Sequence, residues 1–278
     1  MKDIYLITAS FVGEIRRDFK GYVEMAKRAG YAGLELFDCH YGGMTAPELN
    51  AYMRSMDMKV ISAHVNEKDV PSQLEYLPQL GCRYIVCPGL KVSSREEACR
   101  QAERLNDWGR KAKAAGMKYG YHNHNNDFDV YGDETVIEIF LNNTDPDLVT
   151  FELDAAWAWR AGVNAADFIR RHAGRFELIH VKETARTLTE EDKTLFQRMG
   201  PVEHSADGFP IFNERQKAML LEHQKINCKL GDGIIDMPSI KAAADAQGVQ
   251  AYIVEREYAY TGDNFTTILA DREYLSRL

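Results

Sequence analysis

Six short apolar runs in this chain end in side chains that bind cations or move protons. YHNHNNDF carries His122 and His124, FELDAAW carries Glu152 and Asp154, IHVKE carries His180 and Lys182, and IVERE carries Glu255. Earlier, LELF carries Glu35 and ISAHV carries His64. Residues two apart on a strand share a face, so each of the three pairs points one way. Carboxylates and imidazoles at the ends of apolar strands are costly to desolvate unless they are paired or bound to a cation. One divalent metal ion satisfies them together. A histidine from one strand, Asp154, His180 and Glu255 offer mixed nitrogen and oxygen ligation, which suits Mn, Co, Zn, Fe or Mg and excludes a soft thiolate site. Each residue also has a plainer role open to it: His64 as a satisfied core group, Glu35 as the cap of a loop, Glu152 against a helix. Trp157, close after Asp154, is either packing or a platform for a sugar ring.

Holding six such ends together requires a particular set of elements. A phrase recurs in which an amphipathic run stops at Gly or a polar turn and a β-rich segment follows, as in KRAGYAGLELF, PQLGCRYIVCP, KAAGMKYGYHN and DAQGVQAYIVE. Gly30, Gly81, Gly116 and Gly248 stand where a helix C-terminus takes a left-handed residue. The strands lack strict in-out alternation, as expected of a parallel sheet covered on both faces. They are expected near residues 3–8, 33–37, 58–64, 83–88, 117–123, 149–154, 176–182 and 250–256. Asp18, Thr45 with Glu48, Ser93 or Ser94, and Asn164 with Asp167 are the expected helix caps. Eight βα units in this length predict a single-domain α/β (β/α)₈ TIM barrel, whose chemistry sits at the strand C-termini. Residues 184–235 run far longer than an ordinary βα loop and are expected to be an insertion after the seventh strand, beside the site, acting as a lid or an oligomer contact.

Composition narrows the function further. The chain has 278 residues, 45% hydrophobic and 27% charged, enough for one sizeable core. With 34 Lys and Arg against 42 Asp and Glu, its net charge of -8 repels polyanions, and no basic stripe offsets it, so nucleic acid is not an expected partner. No apolar run is long enough to span a bilayer, and the N-terminal stretch turns charged too soon for a secretory signal, so a cytoplasmic protein without a membrane partner is expected. The five cysteines form no C-x-x-C pair and read as reduced thiols.

The order YHNHNNDF, FELDAAWAWRAG, LIHVKE, LGDGIID, YIVERE resembles, over essentially the whole chain, the sugar phosphate isomerase/epimerase family of the xylose isomerase-like TIM barrels. That resemblance implies one divalent metal ion held at the ends of strands five to eight, by motif at His122, Asp154, His180 and Glu255. It also implies a carbohydrate substrate, and the chain can form a homo-oligomer. Two departures stand out. Relatives commonly carry a strand-five glutamate where this chain has His122, which leaves Glu255 alone of a carboxylate pair and makes the cation a stronger Lewis acid. The resembling endonuclease IV carries a further zinc-binding histidine where this chain has Trp157, which argues against DNA cleavage.

The chemistry implied is removal of a proton next to a carbonyl, with the charge spread as an enediolate. His124 or Glu255 is the expected base, and Lys182 steadies oxyanion charge, returns a proton or serves as an ion-pair partner. Glu35, His64 and Trp157 are expected to meet sugar hydroxyls or the ring, and Glu152 to line the pocket or replace the missing carboxylate. Isomerisation or epimerisation of a keto-sugar or related polyol is the first reading. A lyase or dehydratase acting on a keto-inositol or 3-keto-glycoside is the second, and a non-catalytic barrel with a decayed site the third.

Overall fold

The computed structural model describes residues 2–204, 210–256 and 263–278. Eight parallel strands close into a barrel: β1 (Ile4–Ile7), β2 (Gly33–Phe37), β3 (Lys59–His64), β4 (Tyr84–Cys87), β5 (Lys118–His122), β6 (Val149–Asp154), β7 (Phe176–Val181) and β8 (Ala251–Val254). Each pairs with its neighbours in chain order, and β8 closes on β1. Parallel neighbours need a crossover long enough to hold a helix. Those helices are α1 (Phe19–Arg28), α2 (Ala46–Ser55), α3 (Val70–Tyr76), α4 (Arg95–Ala114), α5 (Val136–Asn143), α6 (Ala165–Arg171) and α7 (Met237–Ala246), and α8 (Asn264–Arg277) follows the last strand. All eight expected strands are found, with ends shifted by at most two residues.

The joints form for the reasons read from the sequence. Side chains of Asp18, Ser94, Asn164 and Asp236 accept from the backbone N–H three residues on, and Thr45 forms a capping box with Glu48. Such caps contribute about 1 kcal/mol each. The four helix-ending glycines have φ between 70° and 87°, the left-handed region.

Inside the barrel, Tyr5, Ile7, Ile61, Tyr84, Val86, Leu178, Ala251 and Ile253 form an apolar floor. The strand period then sets the next layer: His180 follows Leu178 on the inner face of β7, and Glu255 follows Ile253 beyond β8. A larger apolar layer fills the space between strands and helices.

Between β7 and α7 the chain forms helices Glu190–Lys193, Leu195–Met199 and Glu214–Gln224, and the strand pair Glu203–His204 with Pro210–Ile211. Residues 205–209 of the turn-rich HSADGFPIFN lie outside the described set. The fully buried Glu183 pins both ends of this segment, accepting from the N–H of Thr184 (3.0 Å), Gly231 (3.1 Å) and Ile235 (3.2 Å). A Cβ at Gly233 would stand 2.4 Å from the Glu183 carboxylate, so only glycine fits there. Among the described residues, no helix is long and apolar enough to cross a membrane.

Arg256, next to Glu255, forms a buried ion pair with Asp271 of α8 and donates to the Cys228 carbonyl at 2.6 Å. Asp271 also accepts from the Leu230 N–H at 3.1 Å. Asp271→Ala leaves the buried guanidinium without that carboxylate and should cost about 3–5 kcal/mol. Thermal melting should show this as a drop on the order of 10 °C.

Candidate functional site

The strand ends converge on a cavity of about 370 Å³ lined by His64, His122, His124, Trp157, Lys182 and Glu255. Phe37, Ile7, Ala9 and Pro88 add an apolar wall, and Asp38 and Asn66 add polar groups. A larger hollow of about 650 Å³ opens at the opposite end of the barrel. Its lining mixes charged side chains with apolar ones such as Met53, Met58 and Ile61 and holds no histidine among the described residues, and Lys59 and Asp3 are paired there at 2.9 Å. The acid, base and imidazole side chains of the strand ends gather in the smaller one.

Asp154 ends β6 opposite His180 in register and is fully buried. Its Oδ1 accepts from the Trp157 N–H at 2.8 Å, capping the short helix Ala155–Arg160. Its Oδ2 is buried with no hydrogen-bond partner. An orphaned carboxylate oxygen at such a position carries a full desolvation penalty unless something else meets it. His180 Nδ1 lies 3.2 Å from Glu255 Oε2 and 3.9 Å from Asp154 Oδ2. Donor atoms of all three residues fall within 4.8 Å of one another. Two ligands bound about 2.1 Å from one ion at ordinary angles stand about 3.0–3.4 Å apart, so this set fits a divalent cation after a small contraction.

A deeper group, His64, His122, Glu152 and His180, is as compact. Its internal distances tell a different story. Glu152 Oε2 lies 2.6 Å from His64 Nε2 and 3.0 Å from His122 Nδ1. The first separation is too short for two ligands on one ion and is that of a charge-assisted hydrogen bond. Glu152 thus joins His64 and His122 through hydrogen bonds. The four ligands implied by the family resemblance are therefore divided: Asp154, His180 and Glu255 converge, whereas His122 pairs in register with Glu152, one layer below Asp154.

Glu35 and Glu152 are both fully buried, and neither lines the cavity where they were expected to meet substrate. Glu35 accepts from Ser62 Oγ at 2.6 Å and lies 2.6 Å from His180 Nε2. Burial works to raise its pKa, but the imidazoles of His64 and His180 hold it well below the usual carboxylate range. Burial and the neighbouring charge of Glu35 push Glu152 up. This divergence is the usual outcome when two carboxylates share a dry site.

Nearer the opening, Lys182 Nζ lies 3.2 Å from Glu255 Oε1 and 5.3 Å from the Trp157 ring centre. Burial tends to raise the Glu255 pKa, and the charges of Lys182 and His180 hold it well below normal. The His124 ring stands 5.3 Å from Trp157 and 5.1 Å from His122. Burial pushes its pKa down to about 4, so it is a neutral proton acceptor near pH 7. At Gly89, with φ 139°, a Cβ would lie 3.2 Å from His124 Nδ1, so the β4 loop passes close against that ring.

Several supporting residues carried no signal in the sequence. Asn123, which strand alternation turns away from His122 and His124, accepts from the Asp154 N–H at 2.9 Å. Asp127 accepts from the His124 N–H and the Tyr121 hydroxyl, each at 2.7 Å. Burial pushes its pKa up to about 7, above the unfolded value. Stability from this carboxyl is therefore complete below about pH 4 and lost as pH rises towards 7. Asp127→Asn removes the dependence. The stability difference, variant minus wild type, should rise by about 2 kcal/mol between pH 5 and 8 in parallel denaturant titrations.

A family model described as a xylose isomerase-like TIM barrel matches residues 23–278. Inosose dehydratase of Clostridium perfringens is 27% identical over 142 residues, which cover 51% of this chain and 44% of that protein. The match thus spans less than half the length of that relative. Among solved structures, a sugar phosphate isomerase/epimerase of Parabacteroides distasonis superposes with a TM-score of 0.74 at 23% identity, covering 99% of this chain and 93% of the other. The IOLI protein with a bound zinc atom superposes with a TM-score of 0.72 at 15% identity, covering 100% and 97%.

Proposed function

The chain belongs to the xylose isomerase-like TIM barrel family, and from that footing we propose that it is a metal-dependent isomerase or epimerase of a keto-sugar or related polyol. The observation that carries this reading is the buried, partnerless Asp154 Oδ2 beside His180 Nδ1 and Glu255. These three residues would hold the cation, and the zinc in the IOLI relative supports that assignment. When bound, a divalent cation polarises the substrate carbonyl and stabilises the charge left by proton removal. His124, neutral and on the cavity wall, takes the proton from the carbon next to the carbonyl. Lys182 holds the Glu255 carboxylate and hands a proton back to substrate oxygen. Trp157 and Phe37 give the ring apolar faces, and His64, Asp38 and Asn66 meet hydroxyls. Residues 184–235, which leave the barrel directly after Lys182 and Glu183, would cover the cavity or join two copies.

Elimination is the second reading, and one observation favours it. Strand five offers His122 and His124 but no carboxylate, and Glu255 is tied to His180 and Lys182. Among the described residues, the strand-five and strand-eight carboxylates that a two-faced epimerisation would use are therefore not both present and free. Proton NMR in D₂O with metal-loaded protein and a panel of keto-sugars and keto-inositols separates the two. Solvent deuterium entering without loss of water fits isomerisation or epimerisation, and an enone or a released aglycone fits elimination. Absence of exchange throughout the panel would contradict both.

A further inference from the structure

We infer that Glu35 and Glu152 are positioning residues: each holds one nitrogen of an imidazole, so that His180 keeps Nδ1 for the Asp154–Glu255 side and His122 keeps Nε2 for the cavity. Two independent features carry this. The first is hydrogen bonding. His180 Nε2 lies 2.6 Å from Glu35 Oε2, while its Nδ1 faces Glu255 at 3.2 Å and Asp154 at 3.9 Å. His122 Nδ1 lies 3.0 Å from Glu152 Oε2, and the same oxygen reaches His64 Nε2 at 2.6 Å. Ser62, on the neighbouring strand, donates to the other oxygen of Glu35 at 2.6 Å and fixes the carboxylate plane.

The second feature is in the backbone. The β2–β3 ladder shifts register between Leu34 and Glu35, and the β6–β7 ladder shifts between Phe151 and Glu152. An irregularity of this kind re-aims the side chain beside it. The extra residues are Ile61 on β3 and Glu177 on β7, so one irregularity turns Ser62 towards Glu35, and the other sets Leu178, and with it His180, on the inner face level with Glu152 and Asp154. An imidazole held by a carboxylate at one nitrogen has its tautomer and ring orientation set and is a more basic ligand at the other.

This inference rests on the cation reading above, and the test keeps the two failures apart. Zn²⁺ is titrated into metal-free protein against a competing chelator, and ¹⁵N-histidine spectra are taken of the Zn²⁺-loaded form. Wild type should show His180 with its proton on Nε2 and Nδ1 ligated. Glu35→Gln should weaken Zn²⁺ binding by about 10–100-fold and disturb the His180 Nε2–H signal. Glu152→Gln should shift the His122 Nδ1–H signal and leave that of His180 in place. Should Glu35→Gln fold poorly, Ser62→Ala leaves the carboxylate present but less fixed and should weaken binding about fivefold, as the loss of one hydrogen bond predicts. Zn²⁺ on His180 Nε2, or wild-type affinity in both Glu35→Gln and Ser62→Ala, overturns the inference alone. Wild-type protein that takes up no Zn²⁺ overturns the cation reading beneath it.

Discussion

Asp154→Asn protein should retain well under one equivalent of divalent metal after loading and desalting, and its turnover should fall by about a thousandfold or more. The substitution separates charge from structure. Asp154 Oδ1 caps the helix that begins at Ala155, and asparagine caps a helix about as well as aspartate. What changes is the other atom. In place of the partnerless Oδ2, the variant turns an amide NH₂, a donor without lone pairs for a metal, towards His180 Nδ1 and Glu255. The fold should survive, as circular dichroism would report, while elemental analysis shows the metal gone. A variant that keeps both its metal and its turnover would remove Asp154 from the site.

The second large effect is expected at His124. His124→Gln should keep its metal and lose about 100-fold or more in kcat, the usual share of a general base. Its ring lines the cavity between Trp157 and His122, and the β4 loop at Gly89 closes against it. Burial keeps it neutral, so the lone pair is available without a prior proton loss. Loss of metal in this variant would instead make His124 a ligand, and unchanged kcat would move the base to Glu255.

Much of this architecture could be read along the chain. The strands lie within two residues of their expected bounds because each after the first follows a helix ending in Gly or a polar turn, a local signal that needs no knowledge of the fold. Asp154, His180 and Glu255 were legible as a set because each ends an apolar run, and parallel closure brings such ends together. Register was not legible. A one-residue slip between paired strands changes which side chains share a level, and the extra residues at Ile61 and Glu177 have no local sequence signature. Glu35 and Glu152 each stand two residues before their strand ends, at Phe37 and Asp154, and so lie below the cavity rather than along it, and His122 shares a level with Glu152 instead of Asp154. Ser62, Asn123 and Asp127 were silent for a related reason: their roles arise from partners on neighbouring strands or loops, and nothing in their own surroundings marks them.

Diffraction from a crystal soaked in manganese, recorded where manganese scatters anomalously, tests the central claim most directly. The account predicts one strong anomalous peak within bonding distance of Asp154 Oδ2, His180 Nδ1 and Glu255 Oε2. An empty site there, or a peak seated instead between His64 and Glu152, would contradict it.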